Sequence, residues 1–415
     1  MCYMRLWSGR MFMPEKHSEK LALEEIPFMH WGIITKYNYD ESKARYVPRK
    51  RWDPLSSSEI FLVNERTGEI VRLPRRRGHF SYISPIRSAR PGASKPPVKK
   101  PLDVFEKIIS GEDYAIFVTV DERWTDSAFS LTPVKMNIKG SKATTIINRF
   151  PAMIRYLDPN IRGKIESKLR NGYTKLAFGI NLITFPVDYA ETLSDVSFDS
   201  LVALLSAMAK SIEYTVKEAM DKGAEIIPVY PFFNIGYMAG GSQPRLHSQT
   251  YVDLNMDGHG VFMENVLIAF AEQQKKGYCH LCTAKHRGRI IYENSSWIAW
   301  ATLSPRRNYH LRLSPKRHIG RITELDEHEI RGLADALIVL SKALDEVGVS
   351  KDRNVLIYSN PYGYKSPFHL FVDIIPFERV GGIEILDTVR VVRVAPEDVA
   401  ERLKKVIKEK EISSL

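Results

Sequence analysis

The stretch Phe232-Phe233-Asn234-Ile235-Gly236-Tyr237-Met238-Ala239-Gly240-Gly241-Ser242-Gln243-Pro244-Arg245-Leu246-His247-Ser248-Gln249 decides how this chain is read. Gly236, Gly240 and Gly241 let the backbone approach a ligand closely, so their N–H groups suit a phosphate cradle. Ser242 adds a hydroxyl donor. His247 and Gln249 stand two apart, and in a strand they face the same side. An imidazole beside an amide donor can attack phosphorus while the amide holds the departing charge. A lone strand histidine is ordinarily structural. The glycines, Ser242 and Gln249 around this one make His247 the candidate nucleophile.

The surroundings repeat. Ser197 opens a long helical pattern with Leu201, Leu204, Leu205, Met208 and Ile212 at helical spacing, and Gly223 closes it. A strand at 225–230 leads into the glycine segment. Further on, a strand at 309–313 and a turn at 315–318 precede a second long helix. Thr323 caps it, Ile330, Leu333, Leu337 and Leu340 line one face, and Gly348 ends it. A strand at 354–358 then leads to the segment 366–376. Earlier strands are expected at 114–120, 143–147 and 176–185. The fold class is therefore α+β: two units, each an antiparallel sheet plus a long helix, in a pseudo-duplicated chain. Residues 1–50 read as an irregular extension, 51–275 as the unit carrying the nucleophile, and 276–415 as the second unit.

Cys279 and Cys282 form a Cys-x-x-Cys pair, with His318 and His369 downstream. Two thiolates at this spacing chelate one cation in a tight turn, and two imidazoles on neighbouring strands complete a tetrahedron that suits zinc. His286 and His310 are rival ligands. Overlaying the units places His369 on Arg245, Phe371 on His247 and His318 on Tyr189. The first unit thus keeps the nucleophile without metal ligands, and the second keeps the ligands without the nucleophile. A metal in the second unit is structural on this reading, and no organic cofactor is expected.

Of 415 residues, 60 are Lys or Arg and 49 Asp or Glu, a net charge of +11 that favours anionic partners. Nine Lys/Arg and no acidic residue fall in 72–100, but aromatics are not regularly interleaved, so nucleic acid is not the expected partner. No apolar run is long enough for a membrane span, and no secretory signal is visible at the start. Three cysteines exclude a disulfide framework and point to a reducing, cytoplasmic setting.

The glycine–Ser–x–x–x–x–His–x–Gln segment resembles the active-site motif of galactose-1-phosphate uridylyltransferases, a branch of the histidine-triad superfamily. Arg51-Trp52-Asp53-Pro54-Leu55, Ser84-Pro85-Ile86-Arg87-Ser88-Ala89-Arg90-Pro91, Asn148-Arg149-Phe150-Pro151-Ala152 and Gly382-Ile383-Glu384 resemble further family motifs. Arg245 stands where the family has a histidine. The resemblance implies uridylyl transfer between UDP-glucose and galactose 1-phosphate through a covalent uridylyl-His247, with Ser242 and Gln249 assisting. Arg87 and Arg90 would clamp the sugar phosphate. Asn148, Arg149 and Phe150 would contact the nucleoside, Asn234, Gly240, Gly241 and Arg245 the phosphates, and Glu384 the hexose. Arg245 has a second reading, as a structural cation in place of a lost metal, since the family's zinc usually sits in the nucleophile half. A homodimer with shared sites follows from the same resemblance. The alternative activity is that of an adenylyl-specific relative, an ADP-sugar or diadenosine-polyphosphate phosphorylase.

Overall fold

The computed structural model describes residues 19–52, 61–68, 70–72, 80–89, 103–169, 173–283, 285–387 and 389–414. Its centre is one antiparallel sheet of eleven strands. In chain order these are β1 Phe117–Val120, β2 Arg123–Trp124, β3 Ala143–Ile147, β4 Gly179–Pro186, β5 Val229–Ile235 and β6 Ser248–Asp253, followed by β7 Ile290–Glu293, β8 Trp297–Ala301, β9 Leu311–Pro315, β10 Arg353–Tyr358 and β11 Phe371–Pro376. They lie side by side in the order β7-β8-β9-β11-β10-β5-β6-β4-β3-β1-β2. At the middle, β5 pairs with β10 through Phe232 opposite Leu356 and Ile235 opposite Arg353. Inner and outer side chains alternate in burial along both central strands, as strands at the heart of a half-covered sheet require.

Two long helices cover one face. Helix α2, Phe198–Asp221, starts where the Ser197 side chain accepts from Ser200 N–H, and Gly223 follows its end at φ +94°. Its apolar stripe, Leu201, Leu204, Leu205, Met208 and Ile212, meets Leu333, Leu337 and Leu340 of α5, Glu327–Glu346, in one continuous core. Each such side chain removed from water contributes about 1.5–3 kcal/mol. The start of α5 differs from the expected Thr323 cap. Ile322–Glu324 forms a single 3-10 turn, and Asp326 is the cap, accepting from Glu329 N–H at 2.8 Å while Glu329 Oε2 accepts from Asp326 N–H at 3.0 Å. This reciprocal box satisfies two otherwise unpaired donors, which one threonine hydroxyl cannot do.

The opposite face carries shorter helices. Helix α1, Val104–Ile109, buries Phe105, Ile108 and Ile109 against Phe185 and Ile146. Helix α3, Val261–Lys275, which the sequence reading did not include, lays Met263, Leu267 and Phe270 against Phe368 and Phe371. It is followed by α4, His280–Thr283. The last long element, α6 Pro396–Glu409, packs Val399, Ala400 and Leu403 onto the main core.

The segment read as an irregular extension is, from Glu19 onward, threaded into the body. Ile26, Trp31 and Ile33 join the main core, and buried Lys50 makes ion pairs with Asp253 at 2.9 Å and Asp257 at 2.6 Å. The motif residues 53–55, Arg90 and most of the basic run at 72–100 lie outside the described residues.

Candidate active site and metal-binding group

His247 immediately precedes β6, next to the middle of the sheet, and is 5% exposed. Its Nδ1 lies 2.8 Å from the Arg245 carbonyl oxygen. A carbonyl only accepts, so Nδ1 carries the proton and the lone pair sits on Nε2. The ring packs against Phe105 of α1, centroids 5.4 Å apart, and Phe105 is itself stacked on Phe185. Gln249 follows on β6, opposite Phe232 and Ile183, and is likewise buried. The period of two puts its amide on the His247 side of the strand.

The glycine loop works differently from the expected cradle. Gly240 N–H donates to Tyr237 O at 3.0 Å and Gly241 N–H to Gly236 O at 2.9 Å, so these two amides hold the loop together. Glycine is needed for shape. Gly236 and Gly240 sit at φ +79° and +91°, and a Cβ on Gly241 would come within 2.7 Å of Asn234 O. A Cβ on Gly236 would overlap the Asp352 carboxylate, which accepts from Met238 N–H at 3.1 Å. Gly236→Ala is therefore expected to destabilise the protein by about 1–3 kcal/mol, read as a lower urea midpoint at unchanged slope. Asn234 braces the loop from below, its Oδ1 accepting from Asn354 Nδ2 at 2.7 Å.

Arg245 is turned into the protein. It is 2% exposed, and its guanidinium donates through Nε to Asp103 at 2.7 Å and through Nη2 to Glu106 at 3.0 Å. Nη1 donates to the carbonyls of Pro186 and Val187 at 3.1 and 2.5 Å. Protein acceptors thus surround the cation, the surroundings that its structural reading expects. Arg149 is also held by its own chain. Its Nη1 pairs with Asp113 at 3.1 Å and its Nη2 donates to Tyr114 O at 2.7 Å.

The remaining residues hold the neighbouring turn. Asn148 Oδ1 accepts from Phe150 N–H at 2.9 Å, and Arg87 Nη1 donates to Phe150 O at 2.8 Å. His30 meets the Phe150 ring edge-on at 5.2 Å, a wall that sequence reasoning missed because 120 positions separate the two. Ser242 is half-buried in the glycine loop. Glu384 pairs with Arg307 at 2.9 Å and accepts from Gly381 N–H at 2.8 Å.

In the other half, the ligand atoms of Cys279, Cys282, His318 and His369 all lie within 4.8 Å of one another, a Cys2His2 group that could hold a metal ion and is compatible with zinc. Cys279 directly precedes α4 and Cys282 lies inside it. His369 Nε2 is 3.1 Å from the Pro315 carbonyl, so that nitrogen holds the proton and Nδ1 presents its lone pair to the sulfurs, 3.5 Å from Cys279 and 3.4 Å from Cys282. Burial, with His318 beside it, pushes the His369 imidazole down to about 4. Burial and the neighbouring Cys279 raise the Cys282 thiol to about 11. Two sulfurs and two imidazole nitrogens converging on one point fit a divalent cation, to which the thiols would yield their protons.

The rival histidines lie elsewhere. His286 stacks on Trp300 at 3.8 Å, and His310 Nε2 lies 3.1 Å from buried Asp373, which Arg312 also pairs with. Phe371, at the position overlaid on His247, stacks on Tyr358 at 4.4 Å.

Known proteins match this architecture. The chain's homologues and structural neighbours are uridylyltransferase-like and ADP-glucose phosphorylase proteins, and the galactose-1-phosphate uridylyltransferase resemblance of the motifs fits them. The ADP-glucose phosphorylase of Arabidopsis thaliana is 26% identical over 280 residues, 64% of this chain and 74% of that one. The galactose-1-phosphate uridylyltransferase of Thermotoga maritima is 22% identical over 181 residues, 42% of this chain and 57% of that one. The crystal structure of an ADP-glucose phosphorylase from Arabidopsis thaliana with bound ADP-glucose superposes with a TM-score of 0.59 at 22% identity, covering 86% of this chain and 99% of that chain. A uridylyltransferase mutant gives 0.56 at 22% identity over 65% of this chain and 89% of that one. A family described as "Scavenger mRNA decapping enzyme C-term binding" matches residues 275–381. Among the described residues no helix is long and apolar enough to cross a membrane.

Proposed function

We propose that the protein transfers a nucleotidyl group from a nucleoside diphosphate hexose through a covalent intermediate on His247. The observation that carries this reading is the Nδ1–Arg245 carbonyl hydrogen bond, which fixes the tautomer with its lone pair on Nε2. Nε2 attacks the α-phosphorus, and the bond to the bridging oxygen breaks, its electron pair leaving with hexose 1-phosphate. Positive charge on the imidazolium is stabilised by the Arg245 carbonyl through Nδ1–H. An oxyanion acceptor then attacks the same phosphorus, and the P–N electron pair returns to Nε2. Gln249 and Ser242 donate to the oxygens on which charge develops. Arg87 and Arg90 clamp the anionic sugar phosphate, and Asn148 and Phe150 shape the nucleoside side.

Adenine is the favoured base, with phosphate as acceptor, because the ADP-glucose phosphorylase match spans most of both chains. The engagement of Glu384 with Arg307 removes one support for the galactose 1-phosphate reading. UDP-glucose–galactose 1-phosphate exchange remains the second reading, favoured by the Arg87/Arg90 motif. Exchange of labelled glucose 1-phosphate into ADP-glucose and into UDP-glucose, run side by side, separates them. The expected result is exchange at least about tenfold faster with ADP-glucose, a difference of ~1.4 kcal/mol in transition-state binding; preference for UDP-glucose restores the second reading.

Zinc is the metal proposed for Cys279, Cys282, His318 and His369, where it would hold α4 to β9 and the start of β11. The two halves are proposed as copies of one unit, supported by the order β4-α2-β5-β6 in one and β9-α5-β10-β11 in the other, with β5 beside β10 at the centre. Residues 51–275 and 276–415 remain the proposed units, in a cytoplasmic homodimer. The dimer is supported by the exposed apolar side chains Ile385 and Leu386.

A further inference from the structure

The Cys2His2 group has a counterpart in the nucleophile half, position for position. Asp103 directly precedes α1 and Glu106 lies inside it, as Cys279 directly precedes α4 and Cys282 lies inside it. Strand β4 ends on Pro186 and β9 on Pro315, and Tyr189 and His318 each stand three residues beyond. Leu246 N–H donates to Ala190 O and Leu370 N–H to Ile319 O, both at 2.7 Å. Arg245 Nη1 donates to Pro186 O and His369 Nε2 to Pro315 O, both at 3.1 Å. The Arg245 guanidinium lies over the Tyr189 ring at 5.2 Å, where His369 and His318 face each other at 4.6 Å.

A metal does not fit this first position. The guanidinium fills the centre, and two carboxylates already neutralise it. We propose that Asp103, Glu106, Arg245 and Tyr189 form a metal-free clamp that replaces a divalent cation by a cation covalently part of the chain, and that this clamp positions His247. The clamp reaches the nucleophile from two sides. Arg245 supplies the carbonyl for Nδ1, and Asp103 caps α1, accepting from Phe105 N–H at 3.1 Å, so that the Phe105 ring lies against the imidazole. Hydrogen bonds from one planar guanidinium to two carboxylates, Nε to Asp103 and Nη2 to Glu106, fix angles as well as distances, which a point charge on lysine does not. These are positioning residues, and their effect on turnover rests on the reading of His247 as nucleophile.

The test is a graft. In the full chain, Asp103→Cys, Glu106→Cys, Tyr189→His and Arg245→His are combined, and the metal-free protein is titrated with Co²⁺. The graft is expected to take two equivalents with thiolate-to-metal absorbance, against one for the parent. A folded graft, matched to the parent by circular dichroism, that still takes one equivalent overturns the correspondence. If the graft does not fold, Asp103→Asn decides: kcat falling about tenfold with KM near the parent value supports positioning through the clamp, and an unchanged kcat overturns it. The cobalt count does not depend on turnover, so a protein that forms no nucleotidyl adduct defeats the proposed reaction without touching this result.

Discussion

His247→Ala is expected to lower nucleotidyl exchange by at least about 10⁴-fold, because removing a nucleophile abolishes the covalent route instead of weakening one contact. Substrate binding should change little, since in the proposed reaction Arg87 and Arg90 hold the sugar phosphate and Asn148 and Phe150 the nucleoside. Isothermal titration with ADP-glucose checks binding, and label exchange checks turnover. The fold should tolerate the change. The ring is walled by Phe105 and its one described hydrogen bond runs to a carbonyl, so its loss costs about 1–3 kcal/mol. Gln249→Ala is the informative contrast: its amide stabilises charge without forming a bond, and removing one such donor costs about 10²–10³-fold.

Cys279→Ser/Cys282→Ser is expected to remove bound metal from the purified protein and to lower its melting temperature by about 10 °C or more. The physical ground is that a structural metal binds only the folded arrangement, so its binding free energy is folding free energy. The pair links α4 to His318 beyond β9 and to His369 ahead of β11, and serine oxygens do not replace thiolates around zinc. Elemental analysis checks the first expectation and calorimetry the second. Metal content equal to that of the parent would show that the four side chains are not the ligands.

Local signals explain what was legible in the chain. Strand β3 was read at its observed bounds because Ala143 is followed by four β-branched residues, 144–147, and all five are buried. Helix α2 was legible from the Ser197 cap, the apolar period and Gly223. The four side chains of the Cys2His2 group were legible because Cys-x-x-Cys has few structural uses and two histidines follow it beside neighbouring strands. What was not legible has a common cause, that a side chain's partners are invisible when they are remote in sequence. Arg245 kept two readings because its acceptors, Asp103 and Glu106, lie 142 and 139 positions away. The partners of Arg149 and Glu384, Asp113 and Arg307, were hidden for the same reason. Gly240 and Gly241 announced a close approach of backbone, and that approach is to the loop itself. Helix α3 escaped notice because its apolar residues are spread around it, with Val261, Phe262 and Ile268 exposed. One signal was available and unused: Asp103 and Glu106 carry the same three-residue spacing as Cys279 and Cys282 at the matching place in the repeat.

The most direct measurement is peptide mapping by mass spectrometry of protein quenched during reaction with ADP-glucose, and in parallel with UDP-glucose. The account predicts a single nucleoside monophosphate on the peptide containing His247, acid-labile as a phosphoramidate is, and discharged by added phosphate or hexose 1-phosphate. An adduct on another residue, or turnover that proceeds undiminished in His247→Ala, would contradict it.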